Sequence, residues 1–119
     1  MAKETKAIVD FEVFESLDIR LGKIISVELE PTAIKESYKF EVDFGKYGVR
    51  TSVARLTNHT IEELIGQLVF GVLNFKARVV GETTSEFLIL GAQYPKAESG
   101  AATFVTPANP NTKIGSKLF

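Results

Sequence analysis

The stretch Tyr38-Lys39-Phe40-Glu41-Val42-Asp43-Phe44 alternates apolar and charged residues without a break, and its reading decides the fold. Side chains alternate across a strand, so Tyr38, Phe40, Val42 and Phe44 share a face that must be buried, while Lys39, Glu41 and Asp43 face outward. Gly45-Lys46-Tyr47-Gly48 follows as a hairpin loop, and Val49 to Leu56 returns as the partner strand with a less strict pattern.

Upstream of this hairpin, Ile19, Leu21, Ile24, Ile25, Val27 and Leu29 mark a second extended segment, interrupted by Gly22. A glycine inside a strand marks a bulge, a bend or a close backbone approach, and in a small barrel it turns a corner. Gly22 and Gly81 are therefore expected to be structural, at positions that tolerate no side chain. Before that segment, Phe11, Phe14 and Leu17 recur every three residues, which predicts one or two helical turns laid on the core with Asp10 as the cap. Residues 1–9 read as an N-terminal tail.

Downstream, Thr60-Ile61-Glu62-Glu63 matches a capping box, so a short helix starts there and ends at Gly66. Val69 to Leu73 and Phe87 to Leu90 are rich in residues that pack a pleated sheet, Ala102 to Thr106 adds a further strand, and Pro107 to Asn111 is a turn-rich loop. The sum is one mainly β domain over residues 10–119. Its element order fits a five-stranded Greek-key barrel, the oligonucleotide-binding OB-fold, with short helical segments, one of them between the third and fourth strands, and terminal extensions.

Composition sets the class. With 45% hydrophobic and 24% charged residues in 119, the chain is a globular protein with room for one core. There is no cysteine, which removes disulfides and zinc-thiolate sites. The apolar runs are far below the roughly 20 residues needed to cross a bilayer and no signal-peptide pattern is present, so a cytoplasmic location without membrane insertion is expected. The formal charge of −1 hides an asymmetry: residues 1–43 carry six basic and ten acidic side chains, residues 44–81 five basic and two acidic. If the basic middle folds onto one face, it offers a modest positive patch for phosphates; otherwise the charges are simply a solvated surface.

Catalysis finds little support. His59 is the single histidine and no Gly-rich phosphate loop occurs, so neither an enzyme nor a cofactor is expected. His59, Glu62 and Glu63 have spacings of three and four, but Thr60 caps the helix and leaves His59 outside it, so no metal site is expected. Arg20 points away from the core and can pair with Asp18 or Asp43.

The insert Asn74-Phe75-Lys76-Ala77-Arg78, continuing to Ser85-Glu86, holds more polar chemistry than a hairpin requires. Asn74 either ends its strand by local hydrogen bonding or presents its amide to a ligand. In an extended segment Asn74, Lys76 and Arg78 emerge on one face, suited to phosphates and base edges, with Phe75 turned into the core. A carboxylate at Glu86 can hold Arg78 or accept from a nucleobase. The alternative is an ordinary polar barrel rim.

These residues occur in an order that resembles the tRNA-binding domain family: Asp18-Ile19-Arg20-Leu21-Gly22-Lys23-Ile24, Val42-Asp43-Phe44-Gly45, Ser52-Val53-Ala54, Glu63-Leu64-Ile65-Gly66, Asn74 to Arg78, Gly81, Ser85-Glu86 and Leu88-Ile89-Leu90-Gly91. The chain departs from the usual pattern at Ala77, where proline is common, and at Phe87, where synthetase-linked members often carry methionine. Within the family it is most similar to the stand-alone CsaA group of export-related chaperones. The resemblance implies an oligonucleotide-binding barrel that acts as a homodimer and binds tRNA without catalysis. It also implies a ligand-facing surface of Asn74, Lys76, Arg78, Ser85 and Glu86, to which Arg50 and Arg55 of the basic middle add phosphate contacts. With no tryptophan and three tyrosines (Tyr38, Tyr47, Tyr94), base stacking and sequence preference are expected to be modest. A rival expectation is a chaperone for unfolded or presecretory polypeptides, using phenylalanines of the terminal segments such as Phe14, Phe104 and Phe119; those residues serve equally as a dimer interface.

Overall fold

The computed structural model describes residues 2–93 and 100–119; Tyr94 lies outside the described residues. In chain order the elements are α1 (Phe11–Glu15), β1 (Ile19–Leu29), β2 (Tyr38–Asp43), a 3-10 turn (Gly45–Tyr47), β3 (Val49–Ala54), α2 (Ile61–Leu64), β4 (Leu68–Val72), β5 (Arg78–Val80), β6 (Thr83–Ser85), β7 (Leu88–Ile89), β8 (Gly91–Ala92) and β9 (Thr103–Phe104). Five strands form one antiparallel sheet in the order β3-β2-β1-β4-β7, curled into a nearly closed barrel of the oligonucleotide-binding type. The insert builds its own hairpin, β5 against β6, with Arg78 opposite Ser85.

The alternation in β2 holds as read. Phe40, Val42 and Phe44 are fully buried, and their strand pairs with β1 on one side and β3 on the other. The length of β1 allows it to serve both halves of the barrel: Ile19 to Lys23 pair with β4, and Lys23 to Leu29 pair with β2. The register slips between Ile24 and Ser26, so the bulge falls at Ile25. Gly22 does different work. A Cβ there would lie 2.5 Å from Val42 Cγ1 and 2.7 Å from the Phe44 ring, so core side chains from the neighbouring β2 and its end already fill the space a side chain would need. Gly71 plays the same part on β4, where a Cβ would lie 2.7 Å from the ring of Phe87. Phe87 fills the space between those glycines, packed edge-on against Phe44 with ring centres 4.9 Å apart.

A second apolar layer lies on the outer face of β1 and β4. Ile19, Leu21, Phe70 and Val72 point away from the barrel and are buried, with Phe14, Leu17, Leu90 and Leu118 packed over them. This is why β4 reads as a run of apolar residues instead of alternating: it is covered on both faces. Helix α1 and the C-terminal tail supply the cover, and the tail is pinned by Leu21 N–H to Ser116 O, Gly115 N–H to Leu21 O and Leu118 N–H to Ile19 O. The helical spacing of Phe11, Phe14 and Leu17 needs correction at its first member. Phe14 and Leu17 face the layer, but Phe11 is 65% exposed, and Asp10 sits at the N-cap without a side-chain bond. Helix α2 carries the full capping box, with Thr60 and Glu63 bonding reciprocally. Gly66 leaves it at φ 90°, a conformation that favours glycine.

Replacing Gly22 with alanine should lower the unfolding free energy by about 1–3 kcal/mol, the usual cost of forcing a group into a packed core. An unchanged urea midpoint for Gly22→Ala would mean that the Val42 and Phe44 side chains can move aside freely.

Candidate nucleic-acid interface

The ends of the curled sheet, β3 and the β6–β7 turn, meet without a regular ladder. The Glu86 amide donates to Thr51 O at 2.7 Å, and the Thr51 amide donates to Glu86 Oε1 at 2.8 Å. The Val53 amide donates to Ser85 Oγ at 3.1 Å, Arg78 Nη2 donates to Val53 O at 3.4 Å, and the Ala102 amide donates to Arg55 O at 3.1 Å. Ser52 Oγ donates to Phe87 O at 2.8 Å and lies 3.2 Å from Ser85 Oγ. Side chains thus replace a missing strand partner along the outer edge of β3.

This seam absorbs residues expected at a ligand surface. Ser85 is 2% exposed and its hydroxyl is used internally. Glu86 binds the Thr51 amide and not Arg78. Both polar atoms of the Asn74 amide are engaged far along the chain: Oδ1 accepts from the Asp18 amide at 2.8 Å and Nδ2 donates to Ser16 O at 2.8 Å, tying the insert to the start of β1. The chain bends at Asn74 and Phe75, so the insert is not extended there and Phe75, expected in the core, is 48% exposed. Lys76 is exposed beside it. Arg50 donates to Tyr47 O and Leu73 O, each at 3.3 Å, on the same corner as Asn74. Arg20 pairs with Asp18 at 2.7 Å and stacks 4.5 Å from the centre of the Tyr47 ring, while Asp43 accepts from the Gly45 amide. His59 links α2 to β9, with Nε2 2.8 Å from Thr103 Oγ1 and Nδ1 3.4 Å from Glu63 Oε2.

Arg55 and Arg78 come together with a residue the sequence did not single out. They line a groove of about 600 Å³ whose floor is Val53, Ala54, Leu88 and Ile89 and whose walls are the loop between β1 and β2, carrying Ile34 and Lys35, and the β5 hairpin, carrying Val79 to Gly81. Lys35 belongs to the acidic first third of the chain, and folding alone delivers it to the groove. Among the described residues that line the groove, the charged ones are Lys35, Arg55 and Arg78.

A buried acid holds the two walls. Glu30, 7% exposed, accepts from the Thr32 hydroxyl and amide through Oε2 and from the Thr83 hydroxyl through Oε1. Thr32 Oγ1 accepts in turn from the Glu82 amide at 2.8 Å, and Gly81, at φ 62°, packs so tightly on Thr32 that no side chain fits. The Thr32 hydroxyl first, then that of Thr83, hold the Glu30 carboxyl below the usual carboxylate range, against the opposing effect of burial.

The nearly closed antiparallel barrel places the chain in the OB-fold class. The chain belongs to the family of putative tRNA binding domains, which matches residues 19–117. Methionine–tRNA ligase of Methanosarcina mazei is 32% identical over 116 residues, 97% of this chain but 16% of that enzyme, so the chain corresponds to a small part of such a relative. The solved structures of the CsaA chaperone proteins of Picrophilus torridus and Bacillus anthracis superpose with a TM-score of 0.85 each, at 31% and 33% identity, covering 94% and 95% of this chain and all of theirs. Among the described residues no helix is long and apolar enough to cross a membrane.

Two measurements follow from the seam and the wall contact. Ser85→Ala leaves the buried Val53 amide unpaired and should cost about 1–3 kcal/mol of stability in a denaturant titration; a residue serving ligand alone would leave the midpoint where it was. Because the folded Glu30 carboxyl is depressed, its stabilisation is present at neutral pH and is lost as pH falls through the folded value. The melting temperature of Glu30→Gln should therefore lie below wild type at pH 7 and converge with it in acid.

Proposed function

We propose that this chain is a non-catalytic tRNA-binding module that takes folded RNA at the groove between the Lys35 loop and the Arg78 hairpin. The observation that carries the reading is the groove's charge: the described residues that line it bring together Lys35, Arg55 and Arg78, in a chain whose formal total is −1. Phosphate contacts position an RNA and supply most of its affinity, so a local cluster suffices where the whole surface is near neutral. The putative tRNA binding domain family supports tRNA as the partner.

Lys76 and Arg50, on the Asn74 corner, extend the contact as a second, outlying set. Asn74, Ser85 and Glu86 act in this reading by fixing the insert and the barrel edge, with their polar atoms engaged by the protein's own backbone. A homodimer in the cytoplasm is the working form. Its support is apolar surface at one end of the barrel: Phe14 and Leu118 pack on the same outer layer, and their neighbours Phe11, Val13 and Phe119 are exposed. Two modest patches on one rigid body gain avidity on a large folded RNA.

A second reading, binding of unfolded or presecretory polypeptides, draws on the apolar floor of the groove and on the likeness to the CsaA chaperone structures. Phe14 and Phe104 are partly buried against the two core layers, so of the three terminal phenylalanines Phe119 is the one offered to solvent.

Labelled bulk tRNA titrated across a salt series should bind with an affinity that falls steeply with salt. Arg78→Ala should weaken it several-fold and make the log–log slope shallower by about 0.7–0.9, one phosphate contact. Unchanged affinity and slope in a folded Arg78→Ala would place RNA elsewhere, and suppression of a model client's aggregation without RNA binding would favour the polypeptide reading.

A further inference from the structure

We infer that Glu30 is a positioning residue for the groove: a buried carboxylate outside the ligand's reach latches the Lys35 loop to the Arg78 hairpin, and so decides whether Lys35 engages a phosphate together with the cations opposite it. This rests on the RNA-binding reading above and deepens it. Glu30 is 7% exposed and is not among the residues lining the groove. It first closes its own loop, its amide donating to Ser37 O at 3.0 Å and its carbonyl accepting from the Ala33 amide at 3.3 Å. Its side chain then bridges the walls. Oε2 accepts from the Thr32 amide at 3.1 Å and from the Thr32 hydroxyl, and Oε1 accepts from the Thr83 hydroxyl of the hairpin. Thr32 Oγ1 adds a second crossing by accepting from the Glu82 amide at 2.8 Å.

Stability alone does not call for a carboxylate here. Burying one is costly, and apolar side chains would cover the same surface without that cost. What a carboxylate adds is direction, because each of its two oxygens is fixed to a different wall. The walls depend on it unequally. The hairpin has bonds of its own to the barrel, from Ser85 and Arg78 to the backbone of Val53. The Lys35 loop has a further tie where Arg55 Nε donates to Glu36 O at 3.3 Å. Arg55 is itself a cation of the groove, so a phosphate that draws its guanidinium away leaves the latch to hold Lys35 in place. A loop that is fixed beforehand spares the ligand the cost of ordering it. Without the latch, Lys35 returns to solvent and the groove works with one cation fewer.

The test titrates labelled bulk tRNA across a salt series against wild type, Thr83→Val, Thr83→Ser, Lys35→Ala and the Lys35→Ala, Thr83→Val double variant, at a temperature where circular dichroism shows each of them folded. Thr83 does not line the groove, so its substitution removes no ligand contact. Thr83→Val deletes the hydroxyl that Glu30 holds; it should weaken binding several-fold and make the log–log slope shallower by about 0.7–0.9, one phosphate contact. Thr83→Ser keeps the hydroxyl and should bind as wild type does. Lys35→Ala should weaken binding several-fold in the wild-type background and hardly at all beside Thr83→Val, the non-additivity of residues that act as a unit. Should Thr83→Val fail to fold, Glu30→Gln, which exchanges one acceptor oxygen for a donor, carries the same comparison. Wild-type affinity and slope in the unlatched variant, an equal cost of Lys35→Ala in both backgrounds, or Thr83→Ser as weak as Thr83→Val each overturns the inference and leaves RNA binding standing. Absence of tRNA binding by wild type overturns both.

Discussion

The barrel depends on how the outer edge of β3 is satisfied. A five-stranded sheet must close or leave a row of backbone donors and acceptors exposed, and an exposed edge is an invitation to pair with another chain. Here β3 and β7 do not pair directly. The edge is completed by the Glu86 carboxylate and amide on Thr51, the Ser85 hydroxyl and Arg78 guanidinium on Val53, and the Ala102 amide on Arg55. Because side chains bridge the gap, the two sheet ends stand apart past Ser85 and the groove opens between them. Closure and the site are consequences of one arrangement.

That arrangement explains which features the sequence made legible. Patterns set by neighbours along the chain were readable: the alternation of Tyr38 to Phe44, the capping box at Thr60 and Glu63, the spacing of Phe14 and Leu17. Asn74, Ser85 and Glu86 were legible as unusual polar residues, but a polar side chain that serves a ligand and one that serves a distant backbone amide have the same local signature. The bonds that separate the cases span 32 to 58 residues of sequence. One signal was within reach for Ser85. Ser52 stands opposite the buried Phe40, so its hydroxyl had to face the interior and find a partner there. Lys35 gave no signal, since its place in the groove comes from the loop fastened by Glu30 and Thr32.

The outer layer on β1 and β4 adds a second constraint. Ile19, Leu21, Phe70 and Val72 would face water in a bare barrel, so α1 and the C-terminal tail are structural necessities and not appendages. Covering one apolar face with two short segments leaves others uncovered. Phe11, Val13 and Phe119 lie on the outside of those same segments and are exposed. Covering by a second copy would extend the layering by one more step, which is the physical content of the dimer proposal.

The distribution of charge then separates the two faces. The layered end presents apolar residues on the strongly acidic first segment of the chain, a poor surface for RNA but a workable one for self-association. The groove concentrates cations drawn from three separate stretches, at Lys35, Arg55 and Arg78. Glu30 is the instructive exception. It stands behind the groove walls, and its carboxylate is held by hydroxyl and amide donors from Thr32 and a hydroxyl donor from Thr83. An acid placed there ties the two walls of the groove together through Thr32 and Thr83. A near-neutral chain can in this way hold a polyanion without being a basic protein, provided the slit stays rigid enough that its few cations face the ligand together.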